Sequence, residues 1–238
     1  EHRAQVAKWL RVLADEGLGK IPYPQSVGGE GDMGRYIGAF ETLAAFDLSL
    51  LIKFGVQFGL FGGSIQFLGE ERHHEEYLPA VGDLELFGGF AMTEKGHGSN
   101  VRNLETVARY DAESEEFVVN TPVESAHKEY IGNAARDGEM VTVFAQLETD
   151  GEQYGVHPFL VRIRDESGDP AENVRIEDSG HKMGLNGVDN GKLWFDEVRI
   201  PRENMLTRYG EVAPDGTYSS SIPSDTKRFF TMIGTLVG

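Results

Sequence analysis

The sequence predicts a mixed chain: an all-helical segment, then short strands forming an antiparallel barrel or sandwich, then the beginning of more helices. Three observations carry that reading. Apolar residues recur at helical spacing as far as residue 86, alternate at every second position after Phe87, and return to helical spacing from Asp225. No internal repeat or low-complexity segment interrupts this order.

Each element follows from its own residues. Val6, Trp9, Leu10 and Leu13 form one apolar stripe on a charged background, so the chain opens with an amphipathic helix, ended by Gly17 and Gly19. Pro22, Pro24 and the Gly28-Gly29 pair make a loop. A second helix is expected over 32–47, with Ile37, Phe40, Leu43 and Ala44 inward. Residues 48–68 are the longest apolar stretch. Lys53, Gln57, Ser64, Gln66 and several glycines interrupt it, so it reads as a buried helix or helix pair rather than a membrane span. The charged run 70–76 is expected to precede a short helix through Tyr77 and Leu78 that ends near Pro79.

In the β-domain, 107–110 and 117–119 flank an acidic turn and predict a hairpin. Val141, Val143, Ala145 and Leu147 alternate with Thr142, Phe144 and Gln146, the period of a strand. Residues 154–163, 173–176 and 192–200 read as three more strands, and 201–223 as a loop. The last helix has Phe229, Phe230, Met232, Ile233, Leu236 and Val237 around most of its girth, which predicts burial in a larger core. It also predicts an exposed apolar patch, and so association, if that core is missing. The expected domains are a helical domain over 1–86, a β-domain over 87–208, and a linker with the first helix of a further bundle over 209–238. The chain starts inside one helical pattern and stops inside another, so its ends read as cuts.

Composition excludes several functions. The 238 residues can bury a core, and 39% hydrophobic content suits a folded globular chain. Without cysteine there is no disulfide, thiolate metal site or thiol nucleophile. A net charge of −17 with no basic stripe argues against nucleic-acid binding and reads as a solvated acidic surface. No secretory leader opens the sequence.

The most informative stretch is Gly88-Gly89-Phe90-Ala91-Met92-Thr93-Glu94-Lys95-Gly96-His97-Gly98-Ser99-Asn100. A buried strand runs into a Thr-Glu pair and then a loop whose bare glycine backbone admits a ligand closely. Thr93 and Ser99 add hydroxyls suited to a polar ring edge or phosphate oxygens, although such a turn taken alone equally serves to reverse the chain. A second segment, Ser125-Ala126-His127-Lys128-Glu129-Tyr130-Ile131-Gly132-Asn133, sets an aromatic beside thin backbone, as a flat ring requires. Tyr154-Gly155-Val156-His157-Pro158-Phe159, the run from His181 to Gly191, Ile200-Pro201-Arg202-Glu203-Asn204-Met205-Leu206 and Asp215-Gly216-Thr217-Tyr218 follow in order.

Together these segments resemble the flavoproteins of the acyl-CoA dehydrogenase and oxidase superfamily, and the Gly-His-Gly form resembles the oxidases most. The resemblance is strong over 87–218 and rests on pattern alone in the N-terminal helices. It implies an acyl-CoA dehydrogenase-like fold, with an N-terminal α-domain, a middle β-barrel and a C-terminal four-helix bundle of which only the start is present. It also implies FAD as cofactor. Thr93 would then hydrogen-bond the flavin ring, and Gly132 would present its amide near the reactive flavin nitrogen. Met92, Tyr130 and Ile131 would line the ring, and Gly98 and Ser99 would lie near the cofactor phosphates or the thioester end. Tyr130 replaces the tryptophan of many relatives, and Gly132 the threonine of most dehydrogenases.

The implied reaction takes an acyl-CoA and molecular oxygen to trans-2-enoyl-CoA and hydrogen peroxide. The rival within the class is a dehydrogenase that passes electrons to an electron-transferring flavoprotein. Rivals outside it are a non-catalytic binding or assembly relative and a β-barrel lipid carrier. The base of the family reaction is a glutamate in the C-terminal bundle or just before an arginine in that bundle's first helix; here that pair is Lys227-Arg228, so no catalytic residue is assigned. Arg228 reads as an exposed arginine at a helix start, or one that orients the site. Glu94 resembles a structural residue. His97 has no second ligand at metal spacing, and His73 and His74 read as a solvated helix face, so no metal is assigned. The resemblance further implies a homo-oligomer, cytoplasmic in a bacterium or peroxisomal in a eukaryote.

Overall fold

A computed structural model describes residues 1–237; Gly238 and the Val237 side chain lie outside the described residues. α1 (His2–Asp15) buries Val6, Leu10 and Ala14, and Gly17 leaves it at φ 80°, where a Cβ is disfavoured. α2 (Met33–Ala44) begins at Asp32, whose carboxylate accepts from the Arg35 amide at 2.8 Å. Its inner face is Tyr36, Phe40 and Leu43. Ile37 and Ala44 point outward, against expectation, because Tyr36 stacks on Phe54 at 5.4 Å and that contact fixes the helix rotation.

The apolar stretch 48–68 is one continuous helix in three parts. α3 (Leu48–Phe54), capped by Asp47, passes into a π-helical segment, Gly55–Phe61, and then into α4 (Gly62–Leu68). By length and composition it could cross a membrane, but 67% of its apolar window is buried in the protein. α5 (Glu71–Gly82) starts inside the charged run rather than after it. The Glu70 amide donates to His73 Nδ1 at 3.0 Å, and this closes the helix start. His73 is 1% exposed, and its Nε2 meets the carbonyls of Glu203 and Met205. The solvated reading therefore fails for His73, which ties the helical domain to the β-domain's exit.

The β-domain curls around a core that includes Phe117, Val141, Val143, Phe159, Val161, Leu193 and Phe195. Its strands are β1 (Gly88–Ala91), β2 (Val107–Asp111), β3 (Glu116–Asn120), β4 (Lys128–Ile131), β5 (Met140–Thr149), β6 (Glu152–Arg162), β7 (Val174–Asp178), β8 (Gly191–Phe195) and β9 (Val198–Pro201). One sheet runs β1-β5-β2-β3-β9 with β6 also on β5, and a second runs β4-β8-β7. The β2–β3 hairpin and the β5–β6 pair are antiparallel as expected. β1 and β2 instead run parallel to β5, which neither of them reaches through a hairpin: β2, β3 and β4 lie between β1 and β5, and β3 and β4 between β2 and β5. The stretch 192–200 divides into two strands at Asp196-Glu197, where Glu197 takes φ 53°. β10 (Glu211–Val212) and β11 (Tyr218–Ser219) form a small ribbon inside the expected loop.

The two domains meet along the long helix and β1. A Cβ on Gly88 would sit 1.8 Å from the Phe61 ring, so only glycine allows this approach. Gln57, fully buried, donates to the Leu86 carbonyl at 2.8 Å and accepts from the Gly88 amide at 2.8 Å. α6 (Asp225–Val237) packs Phe229 and Met232 into the same interface, while Phe230 stays 62% exposed. One side of this last helix is thus already covered by the chain itself.

Candidate functional site

The two sequence segments singled out for chemistry lie side by side. The Glu129 amide donates to the Thr93 carbonyl at 3.0 Å, and Glu94 and Lys128 form a bridge between the strands. A Cβ built on Gly89 would lie 2.7 Å from the Gly132 carbonyl. The fold therefore brings the Thr93 and Gly132 segments together across 39 residues of sequence.

A buried ion pair fixes the junction. Lys128 is fully buried, and its Nζ donates to Glu94 at 3.0 Å, to the Phe144 carbonyl at 2.7 Å and to the Met92 carbonyl at 3.3 Å. Glu94 also accepts from the Glu105 amide and from the Thr106 amide and hydroxyl. Burial pulls Lys128 down to about 8 against the opposing pull of Glu94. Burial pushes Glu94 upward, but Lys128 and these hydrogen bonds outweigh it and hold the carboxyl below its ordinary range. A carboxylate so occupied is structural, as the sequence indicated.

The turn after β4 is held as firmly. Tyr130 and Asn133 take left-handed backbone conformations, φ 59° and 66°. The Asn190 side chain donates to the Tyr130 carbonyl at 2.8 Å. Asn133 donates to the Gly88 carbonyl at 2.7 Å and accepts from Lys53 Nζ at 2.8 Å. Gly132 is buried, and a Cβ there would meet Val56 of the π-helical segment at 2.9 Å.

The seven predicted cofactor contacts divide in three. Thr93 is half-buried and Gly132 buried; the Thr93 hydroxyl and the Gly132 amide have no hydrogen-bond partner among the described residues. Tyr130 is 64% exposed, and Gly98 and Ser99 lie on an exposed loop with nothing within 4 Å of a Cβ on Gly98. Met92 and Ile131, at 8% and 2% exposed, turn their side chains into the protein core. Unpaired donors on two adjoining segments, an exposed aromatic and an open glycine loop fit a flat, hydrogen-bonding ring with a phosphate tail.

The remaining candidates are rearranged by the fold. His97 has neighbours that spacing did not reveal: Glu105 lies 3.3 Å away, and the ligand atoms of Glu94, His97 and Glu105 fall within 4.8 Å of one another. Glu94 is already saturated by Lys128 and Thr106, so the group is not a vacant ligand set. Arg228 is not an exposed helix-start residue. It is 2% exposed and donates to the carbonyls of Ile222 and Tyr154 and to Asp225. It sits beside His157, which bonds the Tyr218 hydroxyl at 2.9 Å and which burial pulls down to about 4. Lys53 and Asp189 were missed as partners. The one available signal was a lysine inside an apolar helix, which must find a counter-charge when buried.

A helical domain, a curled β-domain and this two-segment junction define the acyl-CoA dehydrogenase class of fold. Residues 1–85 match the model of the acyl-CoA dehydrogenase N-terminal domain and residues 89–198 that of the middle domain, and the chain belongs to this family. It is 49% identical over 236 residues to the peroxisomal acyl-coenzyme A oxidase 3 of Arabidopsis thaliana, covering 99% of this chain and 35% of that protein. The crystal structure of acyl-CoA oxidase 1 from Yarrowia lipolytica superposes with a TM-score of 0.84 at 33% identity, over 98% of this chain and 33% of that one. The acyl-CoA oxidase 2 of Caenorhabditis elegans, bound with FAD, ascaroside-CoA and ATP, gives 0.66 at 38% identity over 69% of this chain and 24% of that one. The chain thus spans about a third of the length of the curated relative.

Proposed function

We propose that this chain supplies the N-terminal and middle domains of an FAD-dependent acyl-CoA oxidase. The observation that carries the proposal is the pair of unpartnered donors, the Thr93 hydroxyl and the Gly132 amide, on segments locked together by the Glu94–Lys128 pair. FAD bound here would supply the acceptor for a hydride from the acyl β-carbon, with oxygen as the terminal electron acceptor, so that the products would be trans-2-enoyl-CoA and hydrogen peroxide. The chain's own part is to orient and enclose. Thr93 and Gly132 hydrogen-bond the ring edge, Tyr130 covers it, and Gly98 and Ser99 receive phosphate or thioester oxygens.

The α-proton needs a carboxylate acceptor. The carboxylates on the two segments are engaged: Glu94 with Lys128 and Glu129 with His127. We therefore place no base in the described residues. The names of the relatives support a peroxisomal setting in a eukaryote, and the family a homo-oligomer. The test is the full-length enzyme that carries these two domains, purified and held under air with acyl-CoA and no other acceptor. A yellow protein that releases peroxide supports the proposal, and Thr93→Val should weaken FAD binding without unfolding it. Bleaching without peroxide would indicate a dehydrogenase, and a colourless protein that binds no FAD a non-catalytic relative.

A further inference from the structure

Lys53 lies in the first part, α3, of the long apolar helix 48–68 and is fully buried. Its ammonium reaches across the domain boundary to Asn133 Oδ1 at 2.8 Å, Asp189 Oδ1 at 2.5 Å and Asp137 Oδ2 at 2.8 Å. Asn133 and Asp189 accept hydrogen bonds from it, Asp137 is paired with it by charge, and all three belong to the β-domain. Asp189 in turn accepts from the Arg136 and Asp137 amides at 3.1 and 3.0 Å, so the cation, the carboxylate and the turn backbone form one network. Arg164, 7% exposed and donating to the Gly138 carbonyl, brings a second positive charge against the two aspartates. A balanced set of this kind is tolerated in a core, whereas a lone lysine is not.

The network closes on the residue next to Gly132. Asn133 holds a left-handed backbone, and both functional ends of its side chain are used, one by Lys53 and the other by the Gly88 carbonyl. Its own carbonyl accepts from the Gly138 amide. The Gly132 N–H lies in the Ile131–Gly132 peptide plane, and Asn133 anchors the next plane along, which limits how far the first can rotate. On the other side, Tyr130 is left-handed as well and is held by Asn190, adjacent in sequence to Asp189. Left-handed non-glycine residues persist where their surroundings over-determine them, and here the surroundings converge on Lys53 and its aspartate.

We infer that Lys53 is a positioning residue for the cofactor: through Asn133 and Asp189 it holds the Tyr130–Asn133 turn so that the Gly132 amide faces the flavin edge. This rests on the flavin reading above. Lys53 does not touch the cofactor. It lets the helical domain determine the aim of a hydrogen-bond donor in the β-domain.

Lys53→Met and Asn133→Gly test this in the purified protein. Glycine keeps the left-handed backbone at 133 and removes the links to Lys53 and to the Gly88 carbonyl, so it serves if Lys53→Met does not fold. Both variants are expected to bind FAD about tenfold more weakly and to shift the visible absorption bands of the flavin that does bind. Without FAD, amide exchange should rise over 134–138 and stay unchanged at Glu105 and Thr106, which Glu94 holds independently. Unaltered affinity and unaltered bands in both variants would overturn the inference, as would faster exchange throughout the chain. A wild-type protein that binds no FAD would bring down the cofactor reading; the exchange over 134–138 would still decide whether Lys53 holds the turn.

Discussion

Val56 and Gly132 touch across the boundary between the helical domain and the β-domain, with 2.9 Å between a Val56 methyl and the place a Cβ would take on Gly132. The π-helical segment puts Val56 there. π-Helical turns are rare and concentrate at functional sites, and this one abuts the turn that carries the proposed flavin donor.

Gly132→Thr, which installs the residue most dehydrogenases have, should therefore destabilise the protein by about 1–3 kcal/mol through overpacking. Adding Val56→Ala makes room for the new side chain and should recover most of the loss. Urea unfolding of the single and double variants measures both effects.

Glu94→Gln leaves the Lys128 ammonium buried without a counter-charge. Removing one partner of such a pair costs about 3–5 kcal/mol. The double variant Glu94→Gln, Lys128→Met should be more stable than Glu94→Gln alone. If the double is no better, the pair is not what holds the two segments together.

His157 gives a dependence on pH of known sign. Burial, opposed by the Gly155 carbonyl and helped by Arg228, brings it from an ordinary 6.5 to about 4. The unfolded chain therefore takes up a proton before the folded one does. Stability from this group is complete above pH 6.5 and falls as the pH drops towards 4, by about 3 kcal/mol at the limit. The stability difference between wild type and His157→Gln, followed from pH 7 to pH 4, should shrink by that order.

Arg228→Met strips the donors from the Tyr154 and Ile222 carbonyls and should release the start of α6. The expected result is faster amide exchange in α6 with little change in β2 and β3. Because Phe229 and Met232 would then be freed beside the exposed Phe230, sedimentation should show the variant associating more than wild type.

The 238-residue chain by itself is expected to form no peroxide from any acyl-CoA, whatever FAD it binds. The carboxylates of its two site segments are all held by neighbours. Turnover by this chain would mean that a base has been overlooked among them.

Local signals made most of the architecture legible. Val6 and Leu10 marked α1, the acidic turn marked the β2–β3 hairpin, and the 141–147 alternation marked β5. What escaped was decided by distant partners. Ile37 faces outward because Tyr36 stacks on Phe54, and His73 is buried because the Glu203–Met205 backbone comes to it from 130 residues away. The parallel pairing of β1 and β2 with β5 has no local mark at all. The site showed the same division. Thr93, Glu94, Lys128 and Gly132 were visible as a motif, while Lys53 and Asp189, 136 residues apart, were linked only by the fold. Met92 and Ile131 belong to the motif, but their side chains serve the core.

The Lys53 junction also limits how these two domains can be exchanged. A helical domain taken from one relative and joined to the β-domain of another carries its own residue at position 53 to a foreign 133 and 189. If those three do not travel together, the hybrid meets a buried charge or an empty socket at its seam, however well the two halves fold apart. Engineering of chimeras in this family should treat the three positions as a single inherited unit spanning the domain boundary.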